Sequence, residues 1–121
     1  MTPAEALRTL CDAWEAGDPD AASGLFAPDG VYEDPLYPGP LHGPAAIRAG
    51  MVEGMGAIED CRVTLDPVME DGDRVLAVGF FASKLREGGA RFDFPFAILV
   101  ELREGKIARL SEYFDTRSLV P

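Results

Sequence analysis

From Cys61 to Asp115 the chain reads as four strand-like stretches, CRVTLDPVM, RVLAVGFFASKL, RFDFPFAILVEL and KIARLSEYFD, separated by EDGD, REGGA and REGK. Each separator is a turn signal of hairpin length. Connections this short join antiparallel neighbours, because a parallel pair needs a crossover of a dozen residues or more. The second half of the chain is therefore constrained to an antiparallel meander, and one face of that sheet must be covered.

Alternation along the third stretch separates its two faces. Phe92, Phe94, Phe96, Ile98, Val100 and Leu102 share one side, and Arg91, Asp93, Pro95, Ala97, Leu99 and Glu101 the other. The aromatic side is expected inside. In the stretch before it, Leu76, Val78, Phe80 and Ala82 are taken as one face, with Phe80 as a wall residue; Ala77, Gly79, Phe81 and Ser83 form the other. Neither face is clearly polar, which predicts a homodimer through the sheet. Pro95 cannot donate to a ladder, so a bulge or bend is expected there.

The first half supplies the cover. Between Ala4 and Ala16, Leu7, Leu10, Cys11 and Trp14 recur at steps of three and four, the period of a helix with one buried face. Asp18-Pro19 opens a second, short helix that is expected to close at Pro28. Val31 to Asp34 alternates as a strand and stops at Pro35, with irregular chain to Pro40. Gly43-Pro44 then introduces a third helix with Ile47, Met51 and Met55 on one face. The expected architecture is a single α+β domain over residues 1–121, with helices on one face of a curved antiparallel sheet.

Charge and composition narrow the partners. A net charge of −10 with scattered basic residues argues against nucleic acid and against an anionic membrane surface. No stretch approaches the ~18 apolar residues of a membrane span, and no signal peptide is evident, so a cytoplasmic location is expected. Cys11 and Cys61 read as small buried apolar residues. One histidine and dispersed acids do not make a metal-ligand set.

The acids are more informative than the total charge. Tyr32 and Asp34 are two apart on one strand and project to the same side; Leu110, Glu112 and Phe114 share a parity on the last strand. Two acids and a phenol are thus expected to meet in an apolar cavity. Its walls are expected from Trp14, Met51, Met55, Phe80, Phe92, Phe94, Phe96 and Phe114. His42, just before a helix start, reads either as a turn residue or as a ligand contact.

AGDPDAASGLFAPDGVYEDPLYPGPLHGPAAIR resembles the corresponding stretch of ketosteroid isomerases and of the wider SnoaL-like and nuclear-transport-factor-2-like superfamily. The final EGKIARLSEYFD resembles the end of limonene epoxide hydrolases. The superfamily implies a cystatin-like cone: a curved sheet wrapped on three helices around a deep apolar pocket. The isomerase likeness implies Asp34 as general base, while the places of that family's oxyanion donors fall on Leu10 and Ile98. The hydrolase likeness implies that Tyr32, Asp34 and Glu112 hold a water, while its arginine and second aspartate fall near Phe80 and Ala82.

These readings converge on a cofactor-independent isomerase or cyclase acting on an apolar cyclic ketone or polyketide-like molecule. An epoxide hydrolase or epoxide-opening cyclase built on the same three residues stays open, as does a non-catalytic small-ligand binder.

Overall fold

The computed structural model describes residues 1–119. Helix α1 spans Pro3–Ala16, α2 Pro19–Ser23, strand β1 Phe26–Glu33, β2 Leu41–His42 and α3 Gly43–Ala57. Strands β3 Ile58–Asp71, β4 Arg74–Leu85, β5 Phe94–Arg103 and β6 Lys106–Tyr113 follow. A 3₁₀ turn, Thr116–Leu119, comes after them. The architecture is α+β, with three helices on one mostly antiparallel six-stranded sheet of order β2-β1-β6-β5-β4-β3.

Local chemistry sets the element ends. Thr2 caps α1 reciprocally: its hydroxyl accepts from the Glu5 N–H, and the Glu5 carboxylate accepts from the Thr2 N–H. Gly24 ends α2 at Ser23, five residues short of the expected close at Pro28, and the freed chain joins β1 early at Phe26. The last hairpin turns through Glu104 and Gly105, both at positive φ, the backbone that a two-residue primed turn demands.

The long ladder between β4 and β5 fixes which side chains face the helices. It pairs Phe81 with Phe94 and Phe80 with Pro95, and partners across a ladder point to the same side. Phe94 is buried, so Phe81 turns inward with it. Phe80 turns outward and is 43% exposed, as are Leu76 and Val78 to similar degrees. The expected facing of β4 is therefore reversed, and Phe80 is not a wall residue.

Pro95 also departs from expectation. The β4–β5 register runs through it without interruption. Pairing with β6 ends at Ala97–Tyr113, so Pro95 lies beyond the last β5–β6 rung. Register shifts fall elsewhere: in the edge strand β3 around Asp60-Cys61 and Asp66-Pro67, in the β5–β6 pairing between Glu101 and Leu102, and in the β1–β6 pairing between Phe26 and Val31.

The core lies between the inner sheet face and the helices. Leu7 and Leu10 of α1, Ile47, Met51 and Met55 of α3, and Phe94, Phe96, Ile98 and Val100 of β5 are all buried. Fully burying one such side chain contributes roughly 1.5 to 3 kcal/mol. β1 and β6 are the sheet's parallel pair, with Tyr32 beside Leu110.

Candidate functional site

Successive residues at the end of β1 are sorted by the pleat. Glu33 faces the outer side, where its carboxylate accepts from Arg109 at 3.0 Å and from the Ser111 hydroxyl at 2.9 Å. That pairing holds Glu33 below the usual carboxylate range. Tyr32 and Asp34 face the other way. The Tyr32 ring is 2% exposed and stacks on Phe26.

Glu112 arrives from β6, opposite Ile98 of β5. Asp34 Oδ2 and Glu112 Oε1 each lie 3.3 Å from the Tyr32 hydroxyl. A phenol has a single hydrogen to donate, which the two carboxyls share or compete for, and a protonated carboxyl can in turn donate to the phenol oxygen. The Leu36 N–H donates to Asp34 Oδ1 at 2.8 Å, the local turn that aspartate forms with the backbone two residues on.

The electrostatics separate the acids. Burial pushes Glu112 up to about 8, and the charge of Asp34 adds to the effect. Burial raises Asp34 as well, opposed by its hydrogen bonds from Leu36 and Tyr32. Tyr32 is raised well above the ordinary phenol, by burial first and then by the two acids. Near neutrality the arrangement fits an ionised Asp34 and a protonated Glu112 with the phenol between them.

These three groups open into a partly enclosed cavity bounded by Leu10, Cys11, Trp14, Leu36, Tyr37, Gly54, Ile58, Val63, Phe81, Phe92, Phe94, Phe96 and Ile98. Phe94 organises the far wall, stacking on Phe81 at 5.0 Å and on Phe114 at 4.3 Å. Trp14 meets Phe81 edge-on at 6.1 Å.

The structure thus brings Tyr32, Asp34 and Glu112 together with Leu10, Trp14, Phe92, Phe94, Phe96 and Ile98. It leaves others apart. Phe80 lies on the outer sheet face; Met51 and Met55 are core residues packed behind the cavity; Phe114 backs Phe94 without reaching the cavity surface. His42 is the exposed residue that precedes α3 and does not line the cavity. Among the described residues no group of three or more His, Cys, Asp or Glu side chains is placed to hold a metal. No helix there is long and apolar enough to cross a membrane.

Tyr37 is the main residue that sequence reasoning did not single out. Its hydroxyl donates to the Gly50 carbonyl at 2.8 Å and its ring meets Tyr32 edge-on at 5.8 Å. A Cβ on Gly50 would stand 2.6 Å from Leu41 Cδ1 and 3.3 Å from the Tyr37 hydroxyl, so the absent side chain leaves room for the loop. The available signal was one aromatic residue among four prolines and glycines, Pro35, Pro38, Gly39 and Pro40, where an apolar ring needs cover.

A family model described as the SnoaL-like domain matches residues 7–110. The chain belongs to the SnoaL-like family. Its fold is similar to a hypothetical protein of ketosteroid isomerase-like fold from Catenulispora acidiphila, solved with trimethylamine: 26% identity, 95% of this chain and 88% of that one, TM-score 0.83. A Pseudomonas putida protein provisionally assigned as a polyketide cyclase is similar at 25% identity over 99% of this chain and 96% of its own, TM-score 0.79. A nuclear-transport-factor-2-like protein of unknown function from Burkholderia pseudomallei shares the fold at 20% identity, 97% and 93% coverage and TM-score 0.84. No curated protein matches the chain. The SnoaL-like neighbours thus include proteins provisionally assigned as polyketide cyclases and isomerases, beside proteins of unknown function.

Proposed function

We propose that this SnoaL-like protein catalyses a cofactor-independent proton transfer, an isomerisation or cyclisation, on an apolar cyclic ketone or polyketide-like molecule. The observation that carries the reading is the convergence of Asp34 and Glu112 on one phenol oxygen inside an aromatic cavity. Asp34 as carboxylate removes the proton from the carbon next to a carbonyl. The electron pair of that C–H bond becomes the carbon–carbon double bond of an enolate, and the carbonyl π pair moves onto the oxygen, which accepts a hydrogen bond from Tyr32 or from protonated Glu112. Asp34 then returns its proton to a different carbon. A positioned base of this kind contributes roughly a hundred- to ten-thousand-fold in rate.

Leu10 and Ile98 support a division of labour within the site. They line the cavity where the isomerase likeness places oxyanion donors, and neither can donate from its side chain. The work of stabilising the developing oxyanion then rests on Tyr32 and Glu112. Incubation with cyclic ketones in deuterium oxide, followed by NMR, should show exchange next to the carbonyl that Asp34→Asn abolishes while ligand affinity persists. Exchange unaffected by that substitution would sink the reading.

A second reading rests on the same convergence, since a water held between Tyr32, Asp34 and Glu112 would open an epoxide. Heavy-oxygen water separates the two: label in the product favours hydrolysis, and unlabelled product favours isomerisation. If a ligand binds and no turnover accompanies it, the pocket serves carriage.

We also propose that the protein pairs with a second copy through the outer sheet face, where Leu76, Val78 and Phe80 are 42 to 44% exposed in a row. Sedimentation of the wild type as a dimer and of Val78→Lys as a folded monomer is the expected pair of results. A monomeric wild type refutes it.

A further inference from the structure

We propose that the cavity takes up small lipophilic amines as ammonium ions, the nitrogen against Asp34 and Glu112 and the alkyl groups against the aromatic walls. The inference rests on the same cavity as the proposed function and names the charge of the occupant it prefers.

The lining is electrically one-sided. Among the described residues it holds the carboxyls of Asp34 and Glu112 and no Lys, Arg or His. Ion pairs among the described residues lie elsewhere, as in Arg109 with Glu33 and Arg48 with Asp20, and none joins a cation to Asp34 or Glu112. What Asp34 receives is an N–H from Leu36 and the Tyr32 phenol, both uncharged donors. A carboxylate enclosed without a counter-ion is costly, and an occupant that brings positive charge removes that cost. An anionic occupant adds to it.

The walls favour the same charge. Trp14, Phe81, Phe92 and Phe94 present aromatic rings to the space, and ring faces attract a desolvated cation. A neutral ketone of equal size gains apolar burial but neither of these attractions. An ammonium ion seated on Asp34 also occupies the proposed base, so it competes with any ketone substrate and halts proton transfer.

Calorimetry on the wild-type protein at pH 7 tests this with N,N-dimethylcyclohexylamine, protonated at that pH, against the neutral 1-cyclohexylethanone. The amine is expected to bind about tenfold more tightly or better, equivalent to about 1.4 kcal/mol. Asp34→Asn should lose that advantage and keep its ketone affinity within about threefold. Glu112→Gln leaves the charge on Asp34 and should retain the preference. Amine binding no tighter than ketone binding, amine binding unchanged in Asp34→Asn, or no saturable amine binding at millimolar concentration each overturns the proposal. Because the measurement reads binding, failure of ketone exchange in the earlier experiment leaves it intact.

Discussion

Asp34, just past β1, and Glu112, on β6, each stand 3.3 Å from the hydroxyl of Tyr32. Each acid is raised by burial, and the charge of Asp34 raises Glu112 further, to about 8. One proton held between them near neutrality is the state that the proposed proton transfer requires, one acid free to act as base and the other as donor.

The proposed proton transfer should therefore follow a bell-shaped pH profile. The rising limb reports ionisation of Asp34 above the usual aspartate range, and the falling limb, at about pH 8, reports loss of the Glu112 proton. Glu112→Gln should remove the falling limb. A wild-type profile flat between pH 6 and 9 contradicts this.

Stability should move with the same proton. Glu112 is raised in the folded state, so its contribution is fully present below the unfolded value of 4.5 and is lost as pH rises towards about 8. Chemical denaturation is expected to show stability falling across that window. Glu112→Gln should flatten the slope and, at pH 9, exceed the wild type by roughly 1 kcal/mol or more.

Tyr32→Phe removes the bridge and leaves two carboxyls facing each other across an apolar gap. We expect a rate loss of about a hundred-fold, the scale of one removed oxyanion donor. Carbon-13 NMR of the side-chain carboxyls should report altered titration of both acids. An unchanged rate in Tyr32→Phe would remove the phenol from the mechanism.

Tyr37→Phe deletes the hydrogen bond to Gly50 while keeping the ring on Tyr32. It should cost about 0.5 to 1.5 kcal/mol of stability. Release of an apolar fluorescent ligand should quicken, because the loop that carries Leu36 and Tyr37 over the cavity is then less firmly held. Stopped-flow displacement measures this directly.

Inside and outside of β4 and β5 can be told apart by truncation. Phe94→Ala, which strips a ring stacked on two others, should cost about 3 to 5 kcal/mol. Phe80→Ala, from the exposed face, should cost the isolated protomer under about 1 kcal/mol. Urea unfolding monitored by circular dichroism gives both values.

Period and turn chemistry carried most of the fold. The REGK turn and the Arg74–Leu85 strand were legible because glycine spacing and alternation are local properties. The facing of β4 was not, since both its faces are apolar and the pairing of Phe81 with Phe94 depends on how many residues the REGGA hairpin absorbs. There, the Asp93 carboxylate takes the Ser83 N–H and the Ser83 hydroxyl donates to the Phe92 carbonyl, so β5 starts at Phe94 and not at Arg91. In the site, the positions of Tyr32 and Asp34 were readable from a two-residue spacing. Tyr37 was not, because its place depends on a helix carbonyl 13 residues further along the chain.

The parallel seam between β1 and β6 has a consequence for how the protein comes into being. β6 follows the other five described strands in the chain, yet it sits in the middle of the sheet between β1 and β5. Until it inserts, the two halves have no shared ladder and Asp34 has no acidic counterpart. A chain shortened before Lys106 should leave two unjoined fragments of sheet, so an incompletely synthesised copy would not carry a weakened pair of acids but would lack the pair altogether.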